Sequence, residues 1–263
     1  MEYTLLSYTA KSDLHTHNED AYFIGDDFLI IADGMGGESD GDIASRIAVG
    51  TIGSILSQSL SAESSESDIS RISAEAIHVA DAKISEYVDE HPDSFGMGTT
   101  VLLAVVKEDK LHISWCGDSH CYIYKDGIVH SLTKDHSYIQ ELIDSGQISV
   151  EESFCHPDNN LITRYVGGGC ETCIPDCCMH PLSGAEIIIL CSDGLSGYCK
   201  HDDIAKAIKN AESFDELPRY LADLALRHGS DDDITVVTLI TESYIPYLNF
   251  KSKFRWFKRL FHS

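Results

Sequence analysis

Basic residues are scarce in this chain: 19 lysines and arginines stand against 43 acids, a formal charge of −24 over 263 residues. Such a surface repels a phosphate backbone, which excludes nucleic acid as a partner of the main body. Long apolar runs are missing too, and none approaches the roughly 18–20 residues of a membrane-spanning helix. The opening residues, MEYTLLSYTAKSD, have neither the basic start nor the apolar stretch of a signal peptide. A cytoplasmic protein is therefore expected, with its nine cysteines mostly reduced. No repeat of fixed period occurs. The stretch CETCIPDCCMH offers Cys170, Cys173, Cys177, Cys178 and His180, but only one C-x-x-C; without a second spaced pair it reads as structural rather than as a zinc or redox site.

What remains is an ordinary globular content, 43% hydrophobic, in a chain long enough for a sizeable core. Strand-like runs fall at 3–9, 20–25, 28–32, 99–106, 111–116, 120–125, 186–191 and 234–241. Helical patterns fill 41–60 and 70–90, with shorter ones at 137–146, 202–210 and 214–228. The serine-rich, acidic segment SQSLSAESSESD joins the two long helices. Strands come in clusters rather than in strict alternation with helices, which predicts an α+β architecture of mainly antiparallel sheets. Residues 145–181 look irregular and are expected to form a lid or flap.

The run FLIIADGMGG raises a sharper question, because a buried strand ends abruptly on Asp33 and three glycines, Gly34, Gly36 and Gly37. A tight turn explains one such stretch. The pattern recurs, however. LHISWCGDS stops on Asp118, EIIILCSDGL stops on Asp193, Asp231–Asp233 precede the strand of GSDDDITVVTLI, and HNEDAYFIG places Glu19 and Asp20 before another. Packed sheets can gather such ends at one edge, where ionised carboxylates repel one another unless cations neutralise them. Oxygen ligands without paired histidine or cysteine select Mg²⁺ or Mn²⁺ over zinc. Two ions bridged by one carboxylate would polarise a phosphoryl oxygen and acidify a bridging water, so a hydrolase needs no side-chain nucleophile.

The order of motifs is N-E-D, D-G-M-G-G, G-T-T, C-G-D-S, L-T-K-D-H-S, H-P-D-N-N-L-I-T-R, S-D-G-L and D-D-I-T-V-V. It resembles the metal-dependent (PPM, type 2C) protein serine/threonine phosphatases, above all their compact bacterial branch, over roughly residues 5–241. The resemblance implies a four-layer α-β-β-α sandwich with a dinuclear Mn²⁺ or Mg²⁺ centre and phosphorylated proteins as substrates. It implies that Asp33 bridges the ions, that Glu19 and the Gly34 carbonyl serve one, and that Asp193 and Asp232 serve the other. Asp20 would hold waters at the ions, Asp118 a third, weaker ion, and Thr99 and Thr100 would support the site beside a flap at 145–165. A catalytic domain over 1–243 and a separate tail over 244–263 follow.

Three positions depart from the family pattern. His15 stands where an arginine usually forks onto the substrate phosphate, a job it would share only when protonated, unless it is a polar residue without a role. A pseudophosphatase or phosphoprotein-binding scaffold is the alternative this change raises, and a hydrolase of small phosphate esters is a third reading. Asp232-Asp233 replaces the usual Asp-Asn, and the second acid either tightens cation binding or faces solvent. Met35 occupies the place of a histidine proposed as general acid in eukaryotic members, as bacterial members often have it, leaving protonation of the leaving group to water. Beyond the resemblance, the tail YLNFKSKFRWFKRLFHS carries five basic residues and no acid, with Phe250, Phe254, Phe257 and Phe261 at helical spacing. It reads as an anchor on the inner membrane surface or a docking helix for a partner, against the plainer possibility of folding back on the acidic body.

Overall fold

The computed structural model describes residues 2–36, 40–153, 156–158, 160–184, 186–211 and 213–241, apart from the side chains of 150 and 151. Gly37 and the tail at 244–263 lie outside the described residues.

Strands β1 (Tyr3–Ala10), β2 (Asp20–Ile24) and β3 (Phe28–Met35) lead into α1 (Gly41–Ser59) and α2 (Glu66–Glu90). There follow β4 (Gly98–Thr99), β5 (Val101–Lys107), β6 (Lys110–Cys116), β7 (His120–Lys125), β8 (Ile128–Ser131), α3 (Tyr138–Asp144) and α4 (Val150–Ser153). The chain continues through β9 (Asp176–Pro181), β10 (Ile187–Cys191), α5 (Asp193–Ser196), α6 (His201–Asn210), α7 (Leu217–Arg227) and β11 (Ile234–Thr241). One sheet runs β1-β11-β10-β7-β8 and the other β2-β3-β5-β6-β9, with β4 added to β3. Among the described residues every strand pair is antiparallel.

The period-two direction of side chains explains the layers. In β3, Leu29 and Ile31 enter the core between the sheets, while Phe28, Ile30 and Ala32 face the other way against α1 and α2. In β10, Ile188 and Leu190 join that central core, and Ile187, Ile189 and Cys191 meet α6 and α7. Strands buried on both faces read as continuous apolar runs, and the four layers α-β-β-α result. Helix α2 turns Ile69, Ile72, Ala76, Ile77, Ala80 and Ile84 inward. It starts at Glu66 rather than 70 because Ser65 and Asp68 form a reciprocal capping box, which draws the acidic serine-rich end into the helix.

Three strands escape the hydrophobic pattern. β4 has two residues; β8 follows an Asp126-Gly127 hairpin turn with both residues at positive φ; and β9, DCCMHP, is a half-exposed strand that pairs, among the described residues, with β6 alone. Cys177 and Cys178 therefore lie on a strand, and no group of metal ligands forms among Cys170–His180 in the described residues. No helix among the described residues is long and apolar enough to cross a membrane.

Candidate metal centre

The chain passes between the sheets at 11–19 and again at Gly117–Ser119, both at the same end of the sandwich. At that end Asp20 pairs across from Asp33, Ala10 from Ile234, and Cys191 from His120. The sheet edges thus bring Glu19, Asp20, Asp33, Asp118, Asp193 and Asp232 to one place from five separate stretches of sequence.

Their electrostatics show how close they come. Burial, then the charges of Asp20, Asp193, Asp232 and Asp118, push the Asp33 carboxyl well above its ordinary range. Burial pushes Asp20 up to about 8, against opposing hydrogen bonds from Thr235 and Ser192. Asp193 rises to about 7, through burial and the charges of Asp118 and Asp232. Asp118 rises to about 6, through burial and Asp135. Burial also raises Glu19 and Asp232. Two oxygens, Asp20 Oδ1 and Asp193 Oδ1, are buried without a hydrogen-bond partner. Buried carboxylate oxygens with no donor are costly, and a cation supplies what the protein withholds. The donors are all oxygen, which fits a hard divalent ion. One trio among the described residues, His15, Asp232 and Asp233, has ligand atoms all within 4.8 Å of one another.

The main chain around Asp33 is held tightly. Thr100 N donates to Asp33 O at 2.8 Å, Thr99 Oγ1 donates to the same oxygen at 2.9 Å, and Asp33 N donates to Thr100 Oγ1 at 3.0 Å. Gly34 N donates to Glu19 O at 3.1 Å. A Cβ on Gly34 would lie 2.0 Å from the carbonyl oxygen of Gly41 and 2.7 Å from that of Glu19. Close approach of three backbones, rather than a turn, is what this glycine serves.

Several groups at the site were not singled out from the sequence. Ser192 Oγ donates to Asp20 Oδ2 at 2.8 Å and accepts from Thr235 N at 2.9 Å. His120 pairs with Asp135 at 3.0 Å beside Asp118. Ser192 stands next to Asp193 in S-D-G-L, a position from which its part can be read; the His120–Asp135 pairing leaves no trace in spacing. Asp233 does not face solvent: it is 2% exposed and accepts His15 Nδ1 at 2.9 Å. That hydrogen bond raises the His15 pKa, and it occupies the nitrogen with a carboxylate of the protein itself. The flap is rooted by paired backbone bonds between Thr99 and Val166, each 2.9 Å, and by Asp81, which accepts from Gly167 N and Gly169 N.

The Protein phosphatase 2C family model matches residues 11–233, which contain every acid just described. The chain belongs to the protein phosphatase 2C family. It is 32% identical over 243 residues to the serine/threonine protein phosphatase PstP of Mycobacterium tuberculosis, covering 91% of this chain and 46% of that protein. It thus spans about half the length of that relative. It is 30% identical over 236 residues to the serine/threonine phosphatase stp of Listeria monocytogenes, covering 87% of this chain and 92% of that one. The crystal structure of the catalytic domain of PstP in complex with two manganese ions superposes with a TM-score of 0.78 at 28% identity, over 90% of this chain and 97% of that one. The 2C family assignment and the four-layer fold therefore agree.

Proposed function

We propose that this 2C-family chain hydrolyses phosphoserine and phosphothreonine in proteins with the help of two divalent cations. The observation that carries the reading is the pair of buried, unpartnered oxygens, Asp20 Oδ1 and Asp193 Oδ1, in a group of acids that raise one another's pKa. In this reading Asp33 lies between the ions, Glu19 and the Gly34 carbonyl complete one, and Asp193 and Asp232 complete the other. Asp118 would help to hold a third, weaker ion. The two manganese ions of the PstP catalytic domain support Mn²⁺ or Mg²⁺ here. When bound, such ions polarise a phosphoryl oxygen and lower the pKa of water, which makes a protein nucleophile unnecessary.

The chain's own residues supply geometry. Thr99 and Thr100 fix the peptide of Asp33, so its carboxylate is presented from a rigid strand end. Ser192 holds Asp20 Oδ2 and leaves Oδ1 to accept a hydrogen bond from water. Met35 has no proton to give, and water protonates the leaving group. The basic aromatic tail, outside the described residues, we assign to an anionic membrane surface on the cytoplasmic side.

The test is hydrolysis of a phosphothreonine peptide by metal-stripped protein, with Mn²⁺, Mg²⁺ or chelator. Turnover that requires the metal and is abolished in Asp33→Asn is expected. No turnover with either metal, in protein that still binds Mn²⁺, would replace this reading by a phosphoprotein-binding scaffold.

A further inference from the structure

The residue Asp233 has no part in the metal set above, yet it is among the most heavily bonded acids in the molecule. Its Oδ1 accepts Ser12 N at 2.6 Å, and its Oδ2 accepts Glu19 N at 2.7 Å and His15 Nδ1 at 2.9 Å. Ser12 and Glu19 lie near the two ends of the segment that carries the chain from β1 in one sheet to β2 in the other. One carboxylate on the threshold of β11 therefore clamps that crossing at both ends and in the middle. The crossing is tied further by Ser12 Oγ, which donates to Asp231 O at 2.6 Å, and by Lys11 Nζ, which donates to His15 O at 2.5 Å.

The other side of Asp233 meets the remaining half of the centre. A Cβ on Gly194 would lie 2.0 Å from Asp233 O, so the turn carrying Asp193 packs directly on this peptide. Asp233 N donates to Asp232 Oδ1 at 2.7 Å. Through one residue, Glu19 on the first sheet edge is referenced to Asp193 and Asp232 on the second.

Three N–H donors converge on two oxygens, which explains why this position is an acid. An asparagine would turn an amide NH₂ toward at least one of those donors and lose that bond. Of the three donors His15 is the side chain, its Nδ1 2.9 Å from Oδ2. Two of the three departures from the family pattern, His15 and Asp233, thus touch each other and form one unit.

We propose that Asp233 and His15 are a positioning pair that fixes Glu19 against the opposite sheet edge, and that His15 serves this pair rather than the substrate phosphate. The proposal rests on the metal-centre reading. Removing such a partner of a ligand costs about tenfold or more in metal affinity. The imidazole is reachable for substitution, its side chain being 35% exposed, and the His15→Asn variant would present an amide nitrogen in the place of Nδ1.

The experiment is calorimetric titration of the metal-stripped full chain with Mn²⁺, alongside the peptide KM, for the native protein and for His15→Ala, His15→Asn and Asp233→Asn. Metal-free thermal midpoints control for folding. Weaker Mn²⁺ binding in His15→Ala and Asp233→Asn, with recovery in His15→Asn and the KM at saturating Mn²⁺ little changed, is the result expected. Native Mn²⁺ affinity in His15→Ala together with a raised peptide KM would overturn it and return His15 to the phosphate. Native affinity and native KM in all three would overturn it as well. Failure of the native protein to bind Mn²⁺ at all would instead sink the metal-centre reading.

Discussion

Without its cations, this protein should lose stability as the pH rises. Asp20, Asp193 and Asp118 have pKa values of about 8, 7 and 6 in the folded chain, against an ordinary 3.8. An acid whose folded pKa is raised binds its proton more tightly in the native state. Its contribution is complete below the unfolded value and is lost as the pH climbs through the folded value. Each tenfold change in proton affinity is worth about 1.4 kcal/mol. Between pH 5 and 8, Asp118 alone would give up about 1 kcal/mol, Asp193 about 3 and Asp20 about 4. These acids share one mutual repulsion, so adding them counts it twice, and on the order of 5 kcal/mol is the loss to test. For a chain of this size that corresponds to a fall of roughly 10 °C or more in the melting temperature. His15 and His120, whose folded pKa values are also raised, contribute with the same sign. Asp193→Asn separates the effects, since it removes one acid and relieves its neighbours. The assay is thermal unfolding of chelator-treated protein from pH 5 to 8, with and without saturating Mn²⁺. A flat or rising melting temperature in the metal-free protein would refute the reasoning, as would an unchanged slope in Asp193→Asn. With Mn²⁺ the slope should flatten or reverse, because binding displaces protons from the same oxygens.

One further substitution and one truncation probe separate parts of the molecule. Gly34→Ala must part the backbones of Gly34, Gly41 and Glu19; a melting temperature lowered by several degrees and loss of Mn²⁺-dependent turnover are expected, and native values in both assays would show that the close approach is not required. Removal of 247–263 should abolish cosedimentation with anionic vesicles, leave neutral vesicles unbound as before, and leave peptide turnover unchanged; undiminished sedimentation would take the membrane role away from the tail.

The acids were legible from their places at the ends of apolar runs, and so were most strands and helices, because burial on two faces writes itself into composition. The edge strand β9 was not, since a half-exposed strand paired on one side carries no apolar signature. Nor was the start of α2, where a local cap rather than apolar spacing decides the boundary. The use of His15 was open: the residue type allowed a phosphate donor or a bystander, and the hydrogen bond across 218 residues to Asp233 is invisible in any local stretch.

The order of residues alone therefore determined that carboxylates stand at five strand termini, that glycines follow Asp33, and that hard cations suit such a set of oxygens. Which strand ends meet at one end of the sandwich, and that Asp233 bonds to the crossing at 11–19, only the packing of two sheets decided. Asp232 and Asp233 are neighbours of the same chemistry, and they differ in the partners that distant segments bring to each. One meets the cluster, and the other meets Ser12, His15 and Glu19.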